Sequence, residues 1–450
     1  MTKLRQLYST RQTAQKRPIP RSGQIANSAG GYAWQVDKWT QLDRFLILGS
    51  EEGTYYIRPR QLTVENATAV LDCLSEDGQR VVARTVEISQ AGRTPKNDPA
   101  LFVLAMAAGL GDEVTRRAAL AALPKVARIG THLFHFLTFV EGFRGWGRGL
   151  RRGVGRWYTQ MPAEKLAFQA IKYQQRNGWS HRDALRLAHP RAETAVQDAL
   201  FHWITQGWED DTSLTMQPDA DDPLRLIWAF EQAKRATSEG EIVALVEAHR
   251  LPWEAIPAQW HGSNAVWQAL LPTLPPPALL RNLGRLTANG VLAPLSPNST
   301  QVAQRLADAG RLRQARVHPV AVLAALMTYR NGRGTRGKLT WQPVTQIVDA
   351  LDKAFYRTFE TVQPTGKRLL LALDVSGSMG WGTIGGVAGL SPRVGSAAMA
   401  LVTAAVERQV TTVAFSHQMV PLSISPRQRL DDVVKRRLAP PTVPCRCCGR

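Results

Sequence analysis

The sequence predicts a mainly α-helical protein with a partial α/β domain at its C-terminus. Between about residues 30 and 360, apolar residues recur at positions i, i+3, i+4 and i+7, which is the pattern of amphipathic helices. Proline and glycine separate these segments. After about residue 361, continuous apolar runs flank a single helical segment. With 450 residues, 44% of them hydrophobic, the chain can form two or three domains with buried cores.

The helical segments are short and closely spaced, which favours helix pairs stacked into a solenoid. No strict period is visible, so any repeats are degenerate. The clearest segments are DPALFVLAMAAGLG (98–111), VTRRAALAALPKVARI (114–129), DALRLAHP (183–190) and GEIVALVEAHR (240–250).

Three regions follow from the composition. Residues 1–23 carry six basic residues and no acidic residue, which predicts a flexible basic arm. Residues 24–362 form the predicted helical region, and residues 363–450 form the partial α/β domain. In that domain KRLLLALDVS (367–376) predicts a strand buried on both faces. A helix and a second strand, VTTVAFS (410–416), complete a parallel β-α-β unit.

An acid and two hydroxyls follow the first of these strands. Asp374, Ser376 and Ser378 are spaced so that their side chains converge in a tight loop. Two interpretations remain open: a site for Mg²⁺ or Mn²⁺, which prefer hard oxygen ligands, or a turn stabilised by polar side chains. The phosphate-binding loop and the Gly-x-Ser-x-Gly motif of serine hydrolases do not occur at this position.

Charge is the dominant compositional feature. Lys plus Arg number 56 against 36 for Asp plus Glu, giving a formal net charge of +20. This surplus predicts a polyanionic partner, and arginine suits bidentate phosphate contacts. No apolar run approaches the roughly 20 residues of a membrane span, and the N-terminus has no secretory pattern. We therefore expect a cytoplasmic protein that does not contact membranes.

The segment FRGWGRGLRRGVGRWY (143–158) interleaves arginines with aromatic residues, a composition typical of single-strand-binding surfaces. Most of the arginines recur at helical spacing and would form a stripe, although the glycines weaken helix propensity by up to about 1 kcal/mol each. Core packing of the aromatic residues is the alternative. The candidate contacts are Arg144, Arg148, Arg151, Arg152 and Arg156.

Two further basic segments are candidates. In KYQQRNGWSHR (172–182), Lys172 and Arg176 are predicted to share one helical face, and Ser180 can cap the next helix. That helix N-terminus predicts an anion site, with a solvated face and a capping role as the alternative. The loop RNGRGTRGKL (330–339) could contact RNA or serve as a solvated linker. The remaining candidates are His181, Arg182, Arg333 and Arg336.

Long blocks of the chain resemble the Ro autoantigen, or TROVE-domain, family. They include GYAWQVDKWTQLDRFLILGSEEGTYYI (31–57), KYQQRNGWSHRDALRLAHP (172–190), ARVHPVAVLAALMTYRNGRGTRGKLTW (315–341) and AFYRTFETVQPTGKRLLLALDVSGSM (354–379). The resemblance implies a ring of HEAT-like helical repeats followed by a von Willebrand factor A domain. It also makes Asp374, Ser376 and Ser378 part of a metal-ion-dependent adhesion site.

The resemblance implies an RNA-binding protein without catalytic activity, and we expect a monomer. Members of the family bind small noncoding Y RNAs and misfolded RNAs whose single-stranded ends enter the ring. Bacterial relatives work with exoribonucleases such as polynucleotide phosphorylase. The segment 172–182 carries the family's Y-RNA-contacting motif. A metal-dependent protein-interaction adaptor, acting through the Asp-x-Ser-x-Ser loop, is the alternative function.

The resemblance also implies that a further Thr and a further Asp from later loops complete the metal site. The tail APPTVPCRCCGR (439–450) does not supply them in the family's context. One choice of codons for this tail encodes a family-like sequence when the reading frame is shifted by two nucleotides. We therefore predict that the last residues are translated out of frame. We therefore expect a truncated A domain, an incomplete metal site with low Mg²⁺ occupancy, and an exposed sheet edge.

Overall fold

The computed structural model describes residues 18, 23–26, 31–49, 62, 67–94, 96–208, 218–219, 222–335, 337–416 and 419–437. The predicted basic arm, apart from residues 18 and 23, lies outside these residues, as do Arg336 and the tail 439–450. The chain divides into two compact units. The first comprises Arg11–Thr237 and Glu254–Ile256, and the second comprises Met1–Thr10, Ser238–Trp253 and Pro257–Arg450.

The first unit is mainly helical, as predicted. A hairpin of β1 (Gln24–Ala26) and β2 (Tyr32–Trp34) precedes the helices, and a second hairpin of β3 (Gln175–Arg176) and β4 (Trp179–Ser180) interrupts them. The helices are α1 (Lys38–Leu48), α2 (Thr68–Ala91), α3 (Asp98–Leu110), α4 (Glu113–Val126), α5 (Gly130–Glu141), α6 (Arg148–Thr159), α7 (Ala163–Lys172), α8 (His181–Ala188), α9 (Ala195–Gln206) and α10 (Arg225–Arg235).

Helix α3 forms the centre of this unit's core. Residues 99–108 are all buried, because α3 packs among α2, α4 and α5. A helix that is apolar on every side is expected in such a position. Phe102 contacts the rings of Phe139 and Phe143 at centroid distances of 5.3 and 5.6 Å. Cys73, predicted to be a core thiol, is fully buried, and burial raises its pKa to about 11.

The second unit contains further helices followed by the α/β region. Its helices are α11 (Glu239–His249), α12 (Asn264–Leu270), α13 (Pro276–Ala288), α14 (Pro297–Ala307), α15 (Ala309–Gln314), α16 (Pro319–Arg330) and α17 (Thr345–Arg357). Then follow β5 (Arg368–Asp374), α18 (Pro392–Val406), β6 (Gln409–Phe415), β7 (Met419–Pro421) and the short α19 (Leu430–Asp432).

The predicted β-α-β unit is confirmed. Strand β5 runs parallel to β6, with Arg368 opposite Gln409 and Asp374 opposite Phe415. Strand β7 adds an antiparallel partner on the other side of β6. The prediction that β5 is buried on both faces is wrong, because its first residues alternate between exposed and half-buried. Leu370 is 66% exposed, which is the pattern of a strand covered on one face.

Among the described helices, none is both long enough and apolar enough to cross a membrane.

Candidate functional site

Helix α6 carries the arginine stripe that its sequence predicts. Its buried face consists of Leu150, Gly153, Val154, Gly155, Trp157 and Tyr158. The opposite face exposes four arginines, which we call the arginine face: Arg148, Arg151, Arg152 and Arg156. Arg144, in the loop before the helix, is also exposed. The spacing i, i+3, i+4 and i+8 brings the four guanidinium groups onto one side of the helix.

The glycines of α6 have a packing role. A methyl group at Gly153 would lie 3.1 Å from Leu120 Cδ2, and one at Gly149 would lie 3.3 Å from Leu120 Cδ1. Both glycines therefore allow α6 to approach α4 closely. At Gly155, a methyl group would meet Pro190 at 3.3 Å. Packing against these neighbours offsets the low helix propensity that made a helix here uncertain from sequence.

The arginine face has no carboxylate partner, unlike three other exposed arginines. Arg117 pairs with Glu113, Arg311 with Asp308, and Arg313 with Glu360. Within the described part of the chain, the four arginines of the face and Arg144 form no ion pair. Uncompensated guanidinium groups close together on one face repel one another and favour an anionic ligand.

The next candidate segment adopts a different structure from the predicted one. Helix α7 ends at Lys172, and Arg176 lies in β3 rather than on the same helical face. Asn177 (φ 51°) and Gly178 (φ 81°) form the turn between β3 and β4. Two left-handed residues are what a two-residue type I′ hairpin turn requires, and Asn-Gly is its preferred sequence. Arg176, in β3, and Arg182, in α8 just after the hairpin, are both exposed.

An aromatic pair joins this hairpin to the loop before α6. The rings of Trp146 and Trp179 lie 5.9 Å apart with an interplanar angle of 45°. Both side chains are partly exposed. The pair therefore places two partly accessible indole rings at the contact between the hairpin and the loop that contains Arg144. Sequence reasoning did not identify Trp179, although its position beside an Asn-Gly turn marks it as a strand residue.

Lys172 is less available than predicted. Its side chain is 17% exposed, and its ammonium lies 3.4 Å from the carboxylate of Glu254. It also lies 5.3 Å from the ring centroid of Phe168. Lys172 therefore packs against its own unit and shares its charge with an acid, whereas Arg176 and Arg182 remain exposed.

The prediction that His181 contacts RNA directly is corrected by its position. Ser180 caps α8 through the expected capping box with Asp183, which turns His181 inward to 3% exposure. Its Nδ1 lies 2.9 Å from the Tyr158 hydroxyl, and its ring stacks on Trp157 at 5.9 Å. His181 therefore joins α8 to the buried face of α6 and acts as a positioning residue beneath the arginine face.

Burial lowers the pKa of His181 to about 4, so the folded protein keeps this ring neutral at pH 7. The unfolded chain binds a proton near pH 6.5. The stability that His181 contributes is therefore fully present above pH 6.5 and falls as the pH drops toward 4, by about 3 kcal/mol for this residue. Urea unfolding between pH 7 and 4.5 should show this loss. In His181→Gln the slope of the unfolding free energy against pH should be smaller by the equivalent of one bound proton. His202→Gln, at an exposed position, is the control, and equal slopes in wild type and His181→Gln would contradict the assignment.

Arg333 lies in the second unit, on an exposed loop closed by a bridge between Arg333 and Thr340. In the described part of the chain it forms no ion pair.

The loop after β5 brings its predicted side chains together. The Ser376 backbone N–H donates to Asp374 Oδ1 at 2.8 Å, and the hydroxyls of Ser376 and Ser378 lie 3.0 Å apart. These oxygens suit Mg²⁺ with several retained waters. However, the Arg393 guanidinium donates to the Ser376 carbonyl at 3.3 Å. That positive charge weakens cation binding at the loop. No group of three or more His, Cys, Asp or Glu side chains with metal-binding geometry occurs in the described residues.

The chain is a mainly helical protein with an α/β C-terminal region. Its arginine face suits a polyanionic ligand. Comparisons with known proteins define it further. Residues 25–327 match the TROVE domain, and residues 368–448 match the Ro60 vWA domain. The chain belongs to the Ro family of TROVE-domain proteins.

Similar relatives include the RNA-binding protein RO60 of Deinococcus radiodurans. It is 41% identical over 416 residues, covering 92% of this chain and 77% of the relative. The RNA-binding protein RO60 of Caenorhabditis elegans is 31% identical, covering 92% and 74%. The crystal structure of the Deinococcus radiodurans RO (RSR) protein matches with a TM-score of 0.77 and 40% identity. This match covers 89% of this chain and 79% of that chain.

Proposed function

We propose that this protein binds RNA through the arginine face, Arg144 and the β3–β4 hairpin. The observation that carries the proposal is that four exposed arginines without a carboxylate partner lie together on one face of α6, whereas Arg117, Arg311 and Arg313 are each paired with an acid. The names of the two relatives, both RNA-binding proteins, support it. RNA phosphates would neutralise the guanidinium groups and release counterions.

The Trp146–Trp179 pair suggests how unpaired nucleotides are held. Indole rings that are partly accessible can stack on nucleobases whatever their sequence, and each stacked base contributes about 1–3 kcal/mol. Arg176 and Arg182 would then contact the adjacent phosphates. Recognition would depend on RNA shape and on exposed single strands rather than on a base code.

The resemblance to the Ro family supports a more specific ligand. We propose that the RNA is a small noncoding Y-like RNA, or a structured or misfolded RNA with a single-stranded end. The cellular role would be RNA quality control or decay, together with a 3′-to-5′ exoribonuclease such as polynucleotide phosphorylase. The protein would capture and present RNA rather than cleave it.

A metal-dependent adaptor remains the second candidate, because Asp374, Ser376 and Ser378 converge in the loop after β5. If Mg²⁺ binds there, these three residues would hold it, and the ion would offer a coordination position to an acidic residue of a partner. The guanidinium of Arg393 beside Ser376 opposes this arrangement. We therefore propose at most low occupancy.

One binding experiment separates the two functions. A hairpin RNA with a free single-stranded 3′ end is titrated at 50 and 200 mM salt, with and without EDTA. We expect affinity to fall steeply with salt, because binding neutralises several phosphates and releases their counterions, and to be unchanged by EDTA. Affinity that depends on Mg²⁺ but hardly on salt would favour the adaptor. A blunt-ended duplex of the same length tests the preference for single strands.

A further inference from the structure

The loop between α16 and α17 carries positive charge that lies outside the proposed RNA surface. Residues 309–348, which include this loop, contain seven Lys or Arg residues and no Asp or Glu. Arg333 and Lys338 are exposed, and in the described part of the chain neither forms an ion pair. Arg330, at the end of α16, differs from them because it borders a cavity that two aspartates also line. Arg333 and Lys338 are therefore the described cations of this loop that can accept an anionic ligand without competing with an acid.

The two ends of the loop are held together by backbone contacts. Arg333 and Thr340 form an antiparallel bridge, and the Trp341 backbone N–H donates to the Gly332 carbonyl at 2.9 Å. Gly332 has a left-handed backbone (φ 66°), and a methyl group there would lie 2.7 Å from the Trp341 carbonyl oxygen. Glycine alone fits this position without a shift of the backbone. The bridge therefore fixes the backbone from which the Arg333 side chain extends.

The side chain of Trp341 anchors this bridge to two helices. Its ring stacks on Tyr329 of α16 at a centroid distance of 6.1 Å, and its Nε1–H donates to the Tyr329 carbonyl at 2.9 Å. On α13, the same ring lies so close to Gly284 that a methyl group there would be 2.6 Å from it. Tyr329 is 1% exposed, and its hydroxyl lies 2.8 Å from Thr287 Oγ1 of α13. The loop is therefore attached to buried parts of the second unit.

A fixed loop of this composition suits a phosphate backbone. Arginine and lysine neutralise phosphates and release counterions. Gly337, which has a left-handed backbone (φ 82°), faces open space, so no side chain at this position keeps a phosphate from the backbone. A loop that is already ordered loses less conformational entropy on binding than a loop that must be ordered by its ligand.

We propose that the loop between α16 and α17 is a second RNA contact, in which Arg333 and Lys338 bind phosphates and Trp341 is the positioning residue. The inference rests on the proposed function for the class of ligand, but it assigns a separate contact to the second unit. It also decides between the two interpretations that the sequence left open for this loop, in favour of phosphate contact over a solvated linker.

Removal of the two charges tests the phosphate contacts in the full-length protein. In Arg333→Gln with Lys338→Gln, the slope of log RNA affinity against log salt concentration should become shallower by about 1.4–1.8, because each lost phosphate contact contributes about 0.7–0.9. Lys353→Gln with Arg408→Gln is the matched control, since it removes one lysine and one arginine from exposed positions of the same unit. The control should leave the slope unchanged. Fluorescence anisotropy with a hairpin RNA that carries a single-stranded 3′ tail measures each protein.

A combined variant separates this inference from the proposed function. The two loop replacements are added to glutamine replacements of Arg148, Arg151 and Arg152 on the arginine face. We expect the two changes in slope to add, because the two groups share no residue and lie in different units. A slope that changes only with the arginine face would overturn the second contact and leave the proposed function intact, whereas no change in either variant would overturn both. Equal changes in the loop variant and its control would also overturn the second contact, because net charge alone would then explain them.

Trp341→Ala tests the positioning role without changing any charge. RNA affinity should fall by about 5- to 10-fold, because the released loop must then be ordered on binding. In a protein that already lacks Arg333 and Lys338, the same substitution should change RNA affinity by less than about twofold. Trp341→Phe keeps a ring against Gly284 and should restore most of the affinity. Chemical denaturation verifies that each variant is folded. An equal loss of affinity with and without the two cations would overturn the positioning role, because it would reflect a general loss of structure.

Discussion

Joint replacement of Arg148, Arg151 and Arg152 by glutamine is expected to make RNA binding less sensitive to salt. The slope of log affinity against log salt concentration should become shallower by about two to three. The reason is that each lost phosphate contact removes roughly 0.7–0.9 units from the slope. Between 50 and 200 mM salt, the wild type should therefore lose about 20- to 40-fold more affinity than the variant. Fluorescence anisotropy with a hairpin RNA carrying a single-stranded 3′ end measures both proteins.

The matched control removes the same charge from other places. Arg117, Arg311 and Arg313 are exposed, but each is paired with a carboxylate. Their joint replacement by glutamine lowers the net charge of +20 by three, as the first variant does. If RNA affinity depends on net charge alone, the slope of log affinity against log salt concentration will become shallower by the same amount in both variants. A loss confined to the α6 variant identifies the arginine face as the contact surface.

Trp157→Ala should produce the largest loss of stability among the substitutions considered for the first unit, about 3–5 kcal/mol. The side chain is 1% exposed and stacks on His181. Its Nε1–H donates to the Ala127 carbonyl at 2.5 Å. The substitution leaves a large cavity beneath α6 and an unsatisfied buried carbonyl. Chemical denaturation measures the change in unfolding free energy.

Two further variants separate packing from hydrogen bonding at this position. Trp157→Phe retains much of the ring but loses the donor, so we expect a loss of about 1–3 kcal/mol. Trp34→Ala, at a position that is 62% exposed, should change stability by less than about 0.5 kcal/mol. RNA affinity of the folded fraction in Trp157→Ala should also fall, since α6 loses its support. Equal stability of Trp157→Ala and Trp34→Ala would exclude a core role for Trp157.

The arginine face could be predicted from sequence because its evidence is local. Four arginines at helical spacing define one side of α6 whatever packs on the other. The β-α-β unit was predictable for the same reason, since each apolar run is continuous in sequence. The one-sided burial of β5 was not, because it depends on which other elements cover each face.

The segment around Arg176 shows how a local pattern can mislead. Lys172 and Arg176 have the spacing of a helical pair, but Asn177 and Gly178 adopt left-handed conformations that close a hairpin. The Asn-Gly pair was the available signal. The ion pair between Lys172 and Glu254 and the contact between Trp146 and Trp179 join distant parts of the chain. Neither sequence spacing nor composition specifies contacts of this kind.

The glycines of α6 also bear on how this segment can change during evolution or engineering. Replacing glycine by alanine is a common route to thermal stability in helices, yet at Gly149 and Gly153 the added methyl group would press on Leu120. Gly145 and Gly147, in contrast, face open space. Replacement of glycine by alanine should therefore be tolerated at Gly145 and Gly147 but not at Gly149 and Gly153. Variants that gain heat resistance in this segment should arise before the helix, and those at Gly149 or Gly153 should require a smaller residue at position 120.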